Sequence, residues 1–136
     1  MTQMAALVDW LKRYEAAWRS LDPGQIGDLF APDAVYRWHP WDGDGDAAIG
    51  RQTIVEAWLE KQDPPDSWRF QAEAVAIQDD LGIARCITTY LGKDRRPRAT
   101  YHNVFFVRLN DDGQCYDFVE YYMEAPGQAG SVSMPD

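Results

Sequence analysis

Leu7, Leu11, Tyr14, Trp18 and Leu21 recur at alternating steps of four and three, with Trp10 and Ala17 beside them. That spacing lines one face of a helix, so a first helix is predicted over about residues 7–21. Asp22 follows, placed to cap free amides, with Pro23 at the favoured first helical position and Gln25 at the capping-box spacing. A short second helix, about 23–30, turns Ile26, Leu29 and Phe30 inward. Ala31-Pro32-Asp33 breaks it, and Ala34 to His39 is rich in strand formers until Pro40 ends the run. Beyond the acidic loop 42–46, helical period returns from Gly50 to Gln62 through Ile54, Val55, Trp58 and Leu59. Asp63-Pro64-Pro65-Asp66 stops it.

From Ser67 the period changes to that of strands, at about 68–78, 82–91, 99–109 and 114–124. Turn signals separate them at Asp79-Asp80, at Gly92-Lys93-Asp94 and at Asn110-Asp111-Asp112-Gly113. Helices in the first half and strands in the second imply an α+β domain, with helices on one face of an antiparallel meander. There is no internal repeat. One domain is expected over 1–125, followed by a flexible tail of Gly, Ser, Ala and Pro over 126–136.

Composition narrows this picture. A chain of 136 residues with 46% hydrophobic and 13% aromatic positions is too apolar for disorder and contains no run of about 20 apolar residues that could span a bilayer. Six Trp, seven Tyr and five Phe can build a core without metal or disulfide support. Thirteen basic against 22 acidic residues give a net charge of −9, which repels phosphate backbones and anionic lipid. Neither nucleic acid nor a membrane is expected as a partner. The N-terminus lacks a basic stretch followed by an apolar one, so a cytoplasmic location is expected. Cys86 and Cys115 have neither redox nor zinc spacing and read as buried thiols.

Alternation sorts the last strand into Tyr116, Phe118, Glu120 and Tyr122 on one face and Cys115, Asp117, Val119, Tyr121 and Met123 on the other. Both rows carry apolar side chains, so both faces are expected to be covered, the outer one by a second copy in a homodimer. If the hairpin loop is 110–113, Leu109 pairs with Gln114 and Asn103 with Glu120. Glu120 then has two readings. It stands in a pocket with Asn103 as partner, or it is a structural carboxylate that pairs with an arginine, such as Arg37 or Arg85, or faces solvent at a sheet edge.

The order of elements, with Tyr14-Glu15-Ala16-Ala17-Trp18-Arg19-Ser20, Leu29-Phe30-Ala31-Pro32-Asp33-Ala34-Val35-Tyr36, Gly50-Arg51 and Asp112-Gly113 ahead of Glu120, resembles the nuclear transport factor 2-like, or SnoaL-like, superfamily across about residues 5–125. The resemblance implies a cystatin-like α+β fold: a cone-shaped, strongly curved antiparallel sheet with three helices on its concave face and a small molecule inside. It also implies a frequent homodimer, and it puts the face of Phe118, Glu120 and Tyr122 into the cone. There desolvation would raise the carboxyl of Glu120 toward neutrality, making it a usable acid or base.

Members of this superfamily include isomerases, cyclases, dehydratases and modules that only bind or assemble, so the fold leaves function open. In the ketosteroid isomerases a tyrosine at the place of Tyr14 donates to the oxyanion. Their aspartate base would fall at Trp38-His39-Pro40, one residue out of step, and their second donor near Phe105. A steroid isomerase is therefore disfavoured, while His39 remains a candidate base. Strict alternation turns His39 away from the face of Tyr36 and Trp38 unless a bulge intervenes. Tyr14 reads equally as core.

Trp18, Trp38 and Trp58 either form flat walls at one end of the cone or are plain core. His102, beside Asn103, is expected to face outward. Asp42, Asp44 and Asp46 match the opening of a calcium loop, but Ala47 stands where glycine is needed and Thr53 where a glutamate closes the shell, so no metal is expected. The leading expectation is a homodimeric protein that needs no cofactor, binds a small hydrophobic molecule and performs acid–base chemistry with Glu120, His39 and Tyr14. Asn103, Trp18, Trp38, Trp58, Tyr122 and Phe118 would contact the substrate. The rival is a non-catalytic binding or dimerisation module, which predicts a filled cone or a Glu120 tied to arginine.

Overall fold

The structure, a computed structural model, describes residues 2–126. The tail expected over 126–136 lies outside them apart from its first residue. Helix α1 (Gln3–Ser20) starts a turn before the apolar stripe, because the Thr2 hydroxyl accepts from the Ala5 amide and caps it. It ends at Leu21, whose left-handed backbone lets its amide reach the Ala17 carbonyl. Helix α2 (Pro23–Asp28) carries the predicted Asp22 cap on the Gln25 amide. It stops two residues earlier than expected because the next carbonyl is needed elsewhere. The Leu29 oxygen accepts both the Cys115 amide at 2.8 Å and the Trp10 indole at 2.9 Å. The chain therefore enters strand β1 (Phe30–Arg37) at Phe30, running through Pro32 rather than starting after it.

The remaining elements are β2 (Ala48–Ile49), α3 (Arg51–Glu60), β3 (Trp68–Gln78), β4 (Leu81–Leu91), β5 (Pro97–Leu109) and β6 (Cys115–Glu124). Strands β3 to β6 form the antiparallel meander read from the sequence. Strand β1 joins it parallel to β6, which alternation along the chain does not reveal, and β2 covers the edge of β1, giving the order β2-β1-β6-β5-β4-β3. The result is an α+β domain whose curved sheet stays unclosed, with three helices. No helix among the described residues is long and apolar enough to cross a membrane.

One core joins α1 to the sheet, with Leu7, Trp10, Ile26, Phe30, Val107, Cys115 and Phe118 all at 0% exposure. Trp10 meets Tyr14, Phe30 and Phe118 with ring centroids 5.4 to 6.1 Å apart. Gly82 of β4 lies directly beneath Leu7, where an added Cβ would stand 2.8 Å from the leucine and 3.3 Å from the Val107 carbonyl.

A bulge at Arg108/Leu109 corrects the register expected for the last hairpin. Leu109 pairs with Cys115 rather than Gln114, Arg108 with Asp117, and onward Asn103 pairs with Tyr122 and Phe105 with Glu120. Two residues of β6 fit one step of β5, so parity is reversed at the start of the strand. Cys115, expected on the outer face, is fully buried in the core. Tyr116, expected inside, hydrogen-bonds instead to Asp80, which also holds Arg108 at 2.8 Å. From Phe118 onward the net shift of two places restores the expected face.

Candidate functional site

At the end of the cone away from α2, the side chains stop meeting and leave a cavity of about 1050 Å³. Glu120 reaches it from β6. Although Glu120 lies opposite Phe105, the Asn103 amide nitrogen donates to its Oε2 at 2.6 Å, a diagonal contact across the sheet. The predicted partnership thus forms by a different register. Thr88 of β4 donates to the Asn103 oxygen at 3.1 Å, which fixes the amide so that its nitrogen faces the carboxylate. Asn103 and Thr88 are each 5% exposed. Burial pushes the Glu120 carboxyl up to about 7, and the Asn103 hydrogen bond and the charge of His39 oppose that rise without cancelling it.

Tyr14 of α1 and Tyr36 of β1 stand across from it. Their side chains share a hydrogen bond, and burial holds both phenols well above the usual range, the negative charge of Glu120 adding to the effect in each. Tyr14 lies 5.3 Å from Trp58 and 6.2 Å from Trp18, and Tyr36 lies 4.8 Å from Trp38. The three tryptophans therefore converge on the tyrosine pair, and all three line the cavity. Phe118 does not. It is fully buried behind Tyr36, stacked at 4.4 Å, and supports the wall instead of forming it.

His39 lines the cavity too, although no bulge brings it there. Strand β1 ends at Arg37, and the turn at Pro40 frees the ring from alternation. Its Nε2 lies 2.9 Å from the Tyr122 hydroxyl and its Nδ1 3.2 Å from Asp42 Oδ1. The other Asp42 oxygen accepts the amides of Trp38 and His39, both at 3.1 Å. Asp42 is thus a buried orienting group, 9% exposed, rather than the first ligand of a calcium loop. Among the described residues no group of His, Cys, Asp or Glu is arranged to hold a metal ion. Reading the acidic loop as a unit hid this role, and the Asx-type reach of Asp42 back to the residues before Pro40 was the available signal.

Arg37 pairs with Asp117 and Arg85 with Glu73, so neither neutralises Glu120. His102 faces outward as expected. Both cysteines are free and buried, and burial pushes the Cys86 thiol up to about 12. The sequence reading also missed Thr88, Tyr90, Arg98 and Tyr101, which line the cavity from β4 and β5. These sit on strands whose curvature, and not their pattern, decides which end faces space.

A half-buried carboxyl titrating near neutrality, two phenols facing it and an oriented imidazole at the mouth are groups that can take up and release protons. Comparison with known proteins agrees with the fold. The ketosteroid isomerase-like protein of Erwinia carotovora atroseptica superimposes with a TM-score of 0.62 at 19% identity, over 90% of this chain and 97% of that one. A Methylobium petroleophilum protein with a cystatin-like fold gives 0.65 at 16% identity, over 98% and 84% of the two chains. The epoxide hydrolase/cyclase-like enzyme SalBIII, of pyran ring formation in the polyether salinomycin, gives 0.65 at 13%, over 85% and 88%. No curated protein matches the sequence. The sequence model of the SnoaL-like domain matches residues 11–118. On that match, the chain belongs to the SnoaL-like domain family.

Proposed function

We propose that the cavity binds a small apolar organic molecule and that Glu120 moves a proton on it, in an isomerisation, cyclisation or dehydration that needs no cofactor. Tyr14 and Tyr36 receive the charge that develops on the molecule, and His39 serves as a second proton-transfer group at the mouth. The observation that carries this reading is Glu120, a carboxyl raised to about 7 by burial, open to a cavity and held by Asn103 rather than by arginine. A non-catalytic module would favour a filled interior or an arginine-paired Glu120.

A generic probe tests the base without knowledge of the substrate. In 5-nitrobenzisoxazole a carboxylate removes the ring C–H proton while the N–O bond breaks, giving a nitrile and a coloured phenolate. The rate should rise with pH and level off above about 7 as Glu120 ionises. Glu120→Gln should lose roughly 10²–10⁴-fold with the fold intact. A wild-type rate no higher than in free solution, or a variant rate equal to wild type, would leave only binding.

The partner in this reading is a second copy of the chain on the outer face of the sheet, where Tyr121 and Met123 are 44% and 74% exposed. Light scattering at micromolar concentration should give twice the chain mass of 15.6 kDa. A mass of one chain overturns this assignment.

A further inference from the structure

Ten of the described residues around the cavity are aromatic, and Ala57 is the one aliphatic side chain among them. Leucine and valine walls would serve a plain hydrocarbon equally well. What rings add is a negative face, which attracts positive charge. Carboxylates share the same wall, five of them against two fixed cations, Lys61 and Arg98. The mouth already shows the interaction in use, since the Arg98 guanidinium lies over the Tyr90 ring, 5.5 Å from its centroid.

The groups facing Glu120 point the same way. Tyr14 comes from α1, Tyr36 from β1, and Cys86 and Tyr90 from β4; phenols and thiols are ordinarily protonated and neutral at pH 7, and burial moves all four further in that direction. The charge of His39 acts on Glu120, but the Asp42 carboxylate, 3.2 Å from Nδ1, stands against that charge, and Nε2 is held by Tyr122. A half-buried carboxylate thus stands among π faces without a fixed cation against it. An anionic ligand would meet that carboxylate in a chain of net charge −9.

We propose that the molecule taken up is an organic cation, an amine protonated at neutral pH or a quaternary ammonium with an apolar body. Its positive end lies against Glu120 and the face of Trp38, and its body along Trp58. This assignment rests on the reading of the cavity as a ligand site and names the class of ligand. Neutral planar molecules and anions are the competing classes.

Three probes separate them on the full chain: benzyltrimethylammonium, its uncharged isostere neopentylbenzene, and benzenesulfonate, with affinities read by ligand-observed NMR. The cation should bind at least ten-fold more tightly than the neutral isostere, and benzenesulfonate more weakly than either. Glu120→Gln should remove most of the cation's advantage while leaving the neutral probe unchanged. Trp38→Leu, which keeps apolar bulk and removes a π face, should weaken the cation more than the isostere. Equal affinity for cation and isostere, tighter binding of the anion, or a cation advantage that survives both variants overturns the assignment while the cavity reading stands. Failure of all three probes to bind overturns the cavity reading as well.

Discussion

The two ends of the cone are built from the same elements and differ in what those elements carry. Along α1, Leu7 and Trp10 meet the closed end with no exposed surface, while Tyr14 and Trp18 reach the open one. Along β6, Cys115 and Phe118 are sealed in the core, and two and four places beyond Phe118 stand Glu120 and Tyr122 on the cavity wall. At the closed end a polar tip either finds a backbone partner, as the Trp10 indole does on the Leu29 carbonyl, or is absent. At the open end the tips are hydroxyls, an amide and a carboxyl bonded to one another. Closed and open halves thus divide close packing from polar groups lining a cavity, and substitutions in each half should act on different observables.

The largest effect belongs to the closed end. Trp10→Ala removes a fully buried ring that touches Tyr14, Phe30 and Phe118, and should cost about 3–5 kcal/mol in denaturant unfolding. Gly82→Ala acts there by the opposite means, forcing a methyl against Leu7 and the Val107 carbonyl, for roughly 1–3 kcal/mol. Losses below about 0.5 kcal/mol in both would show that this end is not tightly packed.

How far the sequence reveals each half follows from the same contrast. The closed half is written in periodicity, so the Leu7 to Leu21 stripe and the strand at 68–78 are legible to within a few residues. The bulge at Arg108/Leu109, the parallel joining of β1 to β6 and the early entry into β1 at Phe30 are not. Each depends on pairing between distant segments, as when the Cys115 amide takes the Leu29 carbonyl. Glu120 was legible because a shift of two places leaves its face unchanged. Asp42 was not, because its role comes from a turn that folds back on His39.

Glu120 supplies the middle effect, and it is one of pH. Its folded value of about 7 lies above the ordinary 4.5, so the folded state holds the proton more tightly than the unfolded chain. Stability from this group is therefore full below about pH 4.5, declines as pH rises, and is fully lost above about 7. Glu120→Gln should flatten that decline, making the variant more stable than wild type at pH 8 by up to about 2 kcal/mol and no different at pH 4. Parallel pH profiles for the two proteins would place the carboxyl in water rather than in the cavity.

Asp42 should affect the open end without moving the closed one. With its carboxylate on Nδ1, neutral His39 carries its proton there and leaves Nε2 to accept from Tyr122. Imidazole nitrogen shifts in NMR should report that tautomer for His39, with exposed His102 as the internal reference. In Asp42→Asn the balance should move toward the Nε2–H form usual in water. An unchanged balance would mean that Asp42 does not set the tautomer.

The smallest effect completes the contrast with Gly82. Gly45 lies in the turn beside the mouth, where Asp46 and Ala47 both donate to the Gly43 carbonyl. A Cβ built on it meets nothing within 4 Å, and its φ is not positive. Gly45→Ala therefore encounters neither a clash nor backbone strain, and it narrows the freedom of the unfolded chain. Its unfolding free energy should stay within about 0.5 kcal/mol of wild type or rise slightly, against the clear loss at Gly82 from the same added methyl. A loss at Gly45 as large as that at Gly82 would mean that the mouth loop packs as tightly as the closed end, and the division between the two halves would fail.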